Sequence, residues 1–276
     1  MGDGFGFSDR VVVSESERAK YLDFAERVVS RAGVETLPFF RTELEVEDKR
    51  SGGVFDPVTA ADRACERVIR DAIHAEFPEH GIYGEEYGYE PGSGLTWVID
   101  PIDGTRAFMS GMLHWGVLLG LFDGQDTIVG AMGQPFVGEL FSGDGRRARY
   151  QRGDTRIDLK TSACASVGEA VFGTTGLEWF GDAELGCIER LIDQVRLSRV
   201  GGDCYIHAML AMGSMDISSD ANLQCYDIQA LIPIIRGAGG VVTTFEGESP
   251  CMGGTVLCAA NEPLHELALD IVRPRA

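Results

Sequence analysis

The pattern of apolar and polar residues divides the chain into a first half of helices followed by strands and a second half in which strands and helices alternate. Apolar residues recur at helical spacing after Ser14 and again up to Phe77, which predicts two amphipathic helices. Ser14 and Glu17 have the spacing of the capping box that begins a helix. Apolar runs at 115–122 and 127–132 then predict strands, and hairpins follow.

In the second half the spacing of apolar residues changes repeatedly between that of a strand and that of a helix. The pattern predicts a strand, a helix and a strand over residues 170–200, a helix over 204–213 and a long apolar helix over 228–236. Such alternation is typical of a layer with crossover helices. We therefore expect an α+β half, residues 1–159, that carries most of the candidate site, and an α/β half, residues 160–276.

Composition and charge argue against several classes of protein. Of the 276 residues 44% are hydrophobic, yet no apolar run approaches the ~20 residues that a membrane-spanning helix needs. The first nine residues have no signal-peptide pattern, so we expect a soluble, cytoplasmic protein without a membrane partner. A formal charge of −19 argues against nucleic acid as a partner, because its phosphates bind clustered Lys and Arg. The seven cysteines are scattered and form no Cys-x-x-Cys pair, which indicates neither a disulfide framework nor a zinc site.

The stretch from Trp97 to Thr105 carries the strongest chemical signal. Three apolar residues typical of a buried strand run into Asp100, and Asp103 follows across a proline that we expect to end the sheet pairing. Gly104 then permits a sharp turn. Two carboxylates this close repel each other unless a cation lies between them, and Mg²⁺ prefers oxygen ligands. The alternative is an ordinary acidic turn, since Asp-Gly is a common turn pair.

Two acidic positions upstream allow a structural and a functional interpretation. Thr59 and Asp62 have the spacing of a helix capping box, which by itself would explain both residues. Asp62 could instead accept a hydrogen bond from a catalytic water. Glu85 and Glu86 follow a short apolar segment, and neighbouring side chains at a strand end point to opposite faces. At most one of them is therefore expected to face a shared site, and a solvated pair is the alternative.

Three segments are informative in combination. They are Gly84-Glu85-Glu86, Asp100-Pro101-Ile102-Asp103-Gly104-Thr105, and Tyr226-Asp227 ahead of Gly239-Gly240. With them the chain resembles the inositol monophosphatase family of Mg²⁺-dependent, lithium-sensitive phosphatases, over about residues 15–270 and in the order that the family uses. The resemblance implies a layered αβαβα sandwich, a small phosphorylated substrate and a homodimer.

The resemblance also implies a role for each matching residue. Two or three Mg²⁺ ions would be held by four carboxylates and one backbone carbonyl, those of Glu85, Asp100, Asp103, Asp227 and Ile102. Asp100 would bridge two ions, while Glu85 would also act in catalysis by supporting a third. Thr105 and Asp62 match the pair that positions and deprotonates the attacking water. The backbone N–H groups of Gly104 and Thr105 would bind the phosphate. Two ions about 4 Å apart suit direct in-line attack by water.

Within the family, Asp203 favours the histidinol-phosphate phosphatase branch of histidine biosynthesis. Residues 106–111 and Gly201-Gly202-Asp203 resemble that branch, and an added carboxylate suits a cationic leaving group, whereas inositol is neutral. The residues expected to contact substrate are Asp103, Gly202, Asp203 and Asp220. Asp220 stands where the family usually has Glu. Asp203 equally fits the N-cap of a helix that begins at Cys204. The alternative activities are hydrolysis of inositol-1-phosphate or another small ester, and a catalytically silent metal-binding relative.

Overall fold

Helices and sheets of the chain stack in five layers. The computed structural model describes residues 5–43, 46–48 and 57–273. An eight-stranded and a five-stranded sheet lie with helices between them and on both outer faces. Each amphipathic helix thereby buries its apolar side against a sheet, as a layered domain requires. The expected αβαβα sandwich is confirmed.

The described residues form eight α-helices, two 3₁₀ turns and fifteen strands. The helices are α1 (Glu15–Val34), α2 (Ala60–Glu76), α3 (Thr105–Met109), α4 (Asp182–Ile192), α5 (Asp203–Ala211), α6 (Cys225–Ile228), α7 (Leu231–Gly237) and α8 (Glu262–Val272). The 3₁₀ turns are Val167–Glu169 and Leu177–Trp179. The strands are β1 (Val46–Asp48), β2 (Pro57–Thr59), β3 (Gly81–Gly84), β4 (Gly88–Glu90), β5 (Thr96–Asp103), β6 (Gly116–Phe122), β7 (Thr127–Gln134), β8 (Glu139–Gly143), β9 (Ala148–Arg152), β10 (Thr155–Asp158), β11 (Val171–Thr174), β12 (Leu197–Val200), β13 (Ile217–Leu223), β14 (Val241–Thr244) and β15 (Gly254–Ala259).

The first outer layer consists of α1 and α2. The predicted capping box at the start of α1 is confirmed, because Ser14 Oγ accepts from the Glu17 N–H at 3.3 Å and the Glu17 carboxylate accepts from the Ser14 N–H at 2.9 Å. Both helices pack with Trp97 and other apolar side chains of the large sheet. α2 begins at Ala60. The proposed cap from Thr59 lies outside the described side chains.

The large sheet has the order β10-β9-β8-β7-β6-β5-β3-β4 and is antiparallel except where β3 pairs with β5. The prediction that sheet pairing ends at the proline is wrong. Asp100 pairs with Leu118 and Asp103 with Gly116, so three steps along β5 face two along β6. This is a β-bulge, and Pro101 is tolerated within it because the ladder is interrupted there. The bulge lies between the two acidic residues and changes the direction in which their side chains point.

The middle layer consists of α5, α6 and α7, which share an apolar core with both sheets. The prediction of a single helix over 228–236 is wrong, since the chain forms α6 and α7 with a break near Ala230. The chain at this break lies directly on the large sheet: a Cβ added to Gly130 would lie 1.9 Å from the Ala230 carbonyl oxygen. Glycine on β7 therefore permits the close approach of the layer that carries Asp227.

The small sheet has the order β12-β11-β13-β15-β14, with α4 and α8 on its outer face. The predicted strand, helix and parallel strand over 170–200 are confirmed. β15, in contrast, runs antiparallel to both of its neighbours, so the second half is mixed rather than purely α/β. Strand β13 is absent from the predictions because Ser218, Ser219 and Asp220 are polar although buried. The two sheets draw their strands from either side of residues 159–170, and a domain boundary at 159 stays a prediction.

Two predicted absences concern covalent and membrane structure. All seven cysteines are free, in agreement with the prediction from their spacing. Within the described part of the chain, no helix combines the length and apolar character needed to cross a bilayer.

Candidate active site

Three carboxylates converge where β5 leaves the large sheet. Asp100 and Asp103 flank the bulge of β5, and Asp227 comes from α6, which packs against that strand. One oxygen from each of the three lies within 4.8 Å of the others. The Gln224 N–H donates to Asp227 Oδ2 at 2.7 Å and so orients the third carboxylate from within its own helical turn. The structure thus brings together three of the residues that the sequence predicted as metal ligands.

The carboxylates of this cluster raise one another's pKa values. Burial raises the pKa of Asp100 well above its usual range, and the nearby charges of Glu85, Asp103, Asp227 and Asp62 add to this. Burial and the charges of Asp103 and Glu85 do the same for the pKa of Asp227. Carboxylates held this close in a buried place are stabilised by a hard divalent cation, which takes oxygen ligands. The donor set therefore fits Mg²⁺.

Asp103 is oriented by the N-terminus of α5. Its Oδ2 accepts a hydrogen bond from the Cys204 N–H at 2.6 Å. Burial raises the pKa of Asp103, and this hydrogen bond opposes the effect. The interpretation of Asp203 as the N-cap is wrong: α5 begins at Asp203 itself, Gly202 holds the cap position, and the first-turn N–H of Cys204 is bound by Asp103.

The turn after β5 is held by a short chain of hydrogen bonds. The Ile102 N–H donates to Asp100 Oδ1 at 3.1 Å, and the Thr105 hydroxyl donates to the Ile102 carbonyl at 3.0 Å. Gly104 has φ of +84°, and a Cβ there would lie 2.5 Å from the His114 carbonyl oxygen, so only glycine fits. The first N–H groups of α3 have no acceptor within the helix. Binding of phosphate by Gly104 and Thr105 stays a prediction.

Asp62 and Glu85 both lie close enough to raise the pKa of Asp100. Asp62 is 1% exposed, on the first turn of α2. Glu85 follows β3, where its N–H donates to the Ile99 carbonyl at 3.2 Å, next to Asp100 along β5. The two predicted residues are therefore placed beside the cluster, and their catalytic roles stay predictions.

The sequence analysis missed Glu66, which lies under the turn that carries Glu85. Its side chain is fully buried and accepts from the N–H groups of Glu86 at 2.8 Å and Tyr87 at 3.3 Å. A signal was present: Glu66 follows Asp62 by four residues, on the side of α2 that buries Cys65 and other apolar residues.

Asp203 lies at the other end of the cluster, against Gly104. A Cβ added to Gly104 would lie 3.1 Å from Asp203 Cγ. Asp203 has φ of +45°, a left-handed conformation that is strained for residues with a side chain. Burial, followed by the charges of Asp103 and Asp220, raises its pKa to about 8, and Arg106 opposes this. The guanidinium carbon of Arg106 lies 4.5 Å from the centre of the Trp179 ring, a contact that the sequence analysis did not predict.

Asp220 is 4% exposed and has both oxygens engaged by the chain. Oδ1 accepts from the Thr175 N–H at 2.6 Å and the Thr174 hydroxyl at 3.2 Å. Oδ2 accepts from the Thr175 hydroxyl at 3.0 Å and contacts His207 Nε2 at 3.1 Å. The charge of Asp220 reaches the site through its effect on Asp103 and Asp203. Direct contact with substrate, as predicted for Asp220 and Gly202, stays a prediction.

The layered sandwich carries its acidic cluster at the end of β5, and this donor set suits the metal-dependent phosphoric monoester hydrolase that the sequence predicts. A model described as the inositol monophosphatase family matches residues 17–275, and the chain belongs to this family. Sequence and structure therefore agree on the class of enzyme.

Several relatives differ in the activity that their names state. The chain is 33% identical to a histidinol-phosphatase of Chlorobaculum parvum, over 88% of this chain and 93% of the relative. It is 31% identical to the chloroplastic bifunctional phosphatase IMPL2 of Arabidopsis thaliana, over 94% of this chain and 76% of the relative. A solved inositol monophosphatase from Zymomonas mobilis superposes with a TM-score of 0.82 at 30% identity, covering 94% of this chain and 99% of that one.

Proposed function

We propose that the protein hydrolyses L-histidinol phosphate to L-histidinol and phosphate in a Mg²⁺-dependent reaction. The observation that carries this proposal is the position of Asp203, a carboxylate packed against Gly104 beside the acidic cluster. A phosphate placed at the cluster would direct its leaving group toward that carboxylate. Histidinol brings an ammonium group there, and a charge-assisted pair with a carboxylate is stronger than a neutral hydrogen bond. The histidinol-phosphatase relative supports the same substrate.

The metal ligands in this proposal are the converging acids and one carbonyl. Two or three Mg²⁺ ions would be held by Glu85, Asp100, Asp103, Asp227 and the carbonyl of Ile102. Bound ions would supply positive charge to the phosphate and to the leaving oxygen. The bulge of β5 contributes because Asp100 and Asp103, three residues apart, would point to opposite faces of a regular strand.

The chain itself would orient and deprotonate the attacking water. The Thr105 hydroxyl is fixed by its bond to the Ile102 carbonyl, and its oxygen can accept a hydrogen bond from that water. Asp62, buried beside Asp100, would hold the proton that the water loses. The N–H groups of Gly104 and Thr105 would hold the phosphate oxygens. Direct attack by water needs no protein nucleophile.

Inositol-1-phosphate is the second candidate substrate, and one observation favours it. The pKa of Asp203 is raised to about 8, so without a cation beside it this side chain is largely protonated at neutral pH and can hydrogen-bond a neutral hydroxyl. The solved relative from Zymomonas mobilis is named as an inositol monophosphatase. A cationic leaving group would instead draw Asp203 into its ionised form, which is why we favour histidinol phosphate.

The resemblance to the family also suggests where the enzyme acts and how it assembles. We infer that the enzyme acts as a cytoplasmic homodimer in histidine biosynthesis. Light scattering coupled to size-exclusion chromatography tests the dimer: a mass of twice 29.9 kDa is expected. A single-chain mass at micromolar concentration would contradict it.

The deciding experiment compares phosphate release from L-histidinol phosphate and from inositol-1-phosphate in Mg²⁺. We expect a large preference for histidinol phosphate that Asp203→Asn reduces at least about tenfold, since a lost charge-assisted pair corresponds to roughly 1.4 kcal/mol or more. Asp100→Asn serves as the control for metal-dependent chemistry and should abolish release from both esters. A preference for inositol-1-phosphate would support the second candidate. Release from neither ester would indicate another small ester or a silent relative.

A further inference from the structure

Glu66 is a fully buried acid that the proposed reaction does not use. Its Oε1 pairs with Arg70 Nε at 2.8 Å, one helical turn along α2. Its two oxygens also accept from the backbone N–H groups of Glu86 and Tyr87, at 2.8 and 3.3 Å. A buried carboxylate is costly unless its partners satisfy it, so the three donors explain how Glu66 remains in this position.

The chain leaves room for Glu66 at one specific glycine. A Cβ added to Gly84 would lie 1.9 Å from Glu66 Oε1 and 2.4 Å from its carboxyl carbon. Glycine at the end of β3 therefore lets the carboxylate enter the turn and reach the two N–H groups behind it. Any larger residue at position 84 would displace it.

The turn that Glu66 binds is the one that carries Glu85. On one side the Glu85 N–H donates to the Ile99 carbonyl of β5 at 3.2 Å. On the other side Arg70 Nη2 donates to the Gly88 carbonyl at 2.5 Å, and Glu66 binds the two residues after Glu85. The backbone of Glu85 is thus fixed between β5 and α2.

We propose that Glu66 is a positioning residue of the metal centre, which acts by holding the turn that presents the Glu85 carboxylate to the ions. The inference rests on the proposed function, in which Glu85 is a metal ligand. Residues that orient ligands commonly change metal affinity by about 10–100-fold when they are replaced. Glu66 does this through the backbone, because its partners are the N–H groups that follow Glu85.

Mn²⁺ binding to the purified, substrate-free protein tests this, with electron paramagnetic resonance as the readout, since Mn²⁺ takes the same oxygen ligands as Mg²⁺. Glu66→Gln keeps the shape but removes the charge and places an amide against the donors. We expect Mn²⁺ affinity to fall by about tenfold or more. The matched control is Glu90→Gln. Glu90 is a second acid near Arg70, at 3.7 Å, but its side chain is half exposed and contacts His74 instead of the turn.

A double-variant comparison separates positioning from a merely structural role. If Glu66 acts through Glu85, Glu66→Gln adds little to the loss already caused by Glu85→Gln. Gly84→Ala, which displaces Glu66 without altering any acid, should reproduce the loss of affinity. Additive losses, or a lower Tm with unchanged Mn²⁺ affinity in Glu66→Gln, would overturn the inference. Absence of Mn²⁺ binding to the wild-type protein would instead overturn the proposed function together with it.

Discussion

The carboxylate of Asp103 accepts a 2.6 Å hydrogen bond from the backbone N–H of Cys204. The two residues belong to different halves of the chain, since Asp103 ends β5 of the large sheet and Cys204 lies in the first turn of α5. A carboxylate at a helix N-terminus is stabilised by the unpaired N–H groups there. The same bond keeps Asp203, the residue before Cys204, beside Gly104. Ligand orientation and the position of the specificity residue are therefore coupled.

The first prediction separates the role of Asp103 as a metal ligand from its hydrogen bond with the Cys204 N–H. Asp103→Asn keeps an oxygen that can accept from Cys204 and removes one charge from a repelling cluster. We expect the metal-free protein to be at least as stable as wild type, while Mg²⁺-dependent phosphate release falls by more than about 100-fold. Asp103→Ala also removes the acceptor, so its free energy of unfolding should be lower than that of Asp103→Asn by about 1 kcal/mol.

Urea unfolding in EDTA measures this difference. Equal stabilities of the Asn and Ala variants would mean that the bond to Cys204 contributes nothing to folding.

The second prediction concerns the pH dependence of the metal-free fold. The pKa values of Asp100, Asp103, Asp203 and Asp227 are all raised, so the folded state binds more protons than the unfolded state above about pH 4. The contribution of these four groups to stability then falls as pH rises, through a window that reaches at least the pKa of Asp203, about 8. Burial lowers the pKa values of His80 and His265, which acts in the opposite direction, but only up to about pH 6.5. Mg²⁺ competes with these protons, so its stabilising effect should grow over the same window.

Thermal unfolding in EDTA and in saturating Mg²⁺, at about pH 7 and about pH 8.5, checks both parts in a range above the titration of His80 and His265. We expect the metal-free Tm to be lower at the higher pH and the increase in Tm with Mg²⁺ to be larger there. A metal-free Tm that rises with pH would contradict the raised pKa values.

Much of the fold and of the metal cluster could be predicted from local sequence. The capping box at Ser14, the strand, helix and parallel strand over 170–200 and the acidic pair Asp100 and Asp103 each follow from a short local pattern, whereas Asp227 was expected only from the resemblance to the family. In each case the chemistry of a few neighbouring residues decides the outcome.

The features that could not be predicted depend on distant partners. β13 is buried although Ser218 and Asp220 are polar, because His207 and other groups satisfy them across the layer. Pro101 stays within β5 because a bulge accommodates it, and a bulge is fixed by the facing strand. In the sequence Glu66 is one of several charged residues on a helix, and its buried position becomes evident only when the fold places the turn after Gly84 against it. Contacts between residues far apart in the chain determine these three features, and the local spacing of apolar residues does not show them.

The third prediction uses the left-handed backbone of Asp203. Asp203→Gly removes both the carboxyl group and the strain at φ of +45°, whereas Asp203→Asn removes only the ability of the side chain to ionise. We expect the Gly variant to be more stable than the Asn variant by about 1 kcal/mol. Both variants should lose the preference for histidinol phosphate over inositol-1-phosphate.

Denaturant unfolding and the ratio of the two kcat/KM values test this pair. A glycine variant no more stable than Asn would show that the conformation at 203 is not strained, and a preserved preference would remove Asp203 from substrate recognition.

The fourth prediction concerns the buried contact between His207 and Asp220. Although burial opposes charge on the imidazole, Cys258 and the hydrogen bond with Asp220 raise the pKa of His207 to about 10. A raised histidine pKa stabilises the fold fully below the unfolded value of about 6.5, and this stabilisation is lost as pH rises through about 10. Asp220→Asn should therefore lower the free energy of unfolding at neutral pH by about 1.5–3 kcal/mol, since it removes the charged partner of the hydrogen bond with His207.

The matched control is Asp193→Asn, an exposed acid at the end of α4 whose replacement should change stability by less than about 0.5 kcal/mol. Guanidinium unfolding at about pH 7 and about pH 9.5 should show that the difference between wild type and Asp220→Asn shrinks at the higher pH. The Asp220 carboxylate already accepts from Thr174 and Thr175, so we expect its loss to act on substrate mainly through a less ordered Thr175 segment. A raised KM with unchanged stability would instead assign Asp220 a direct contact with the leaving group.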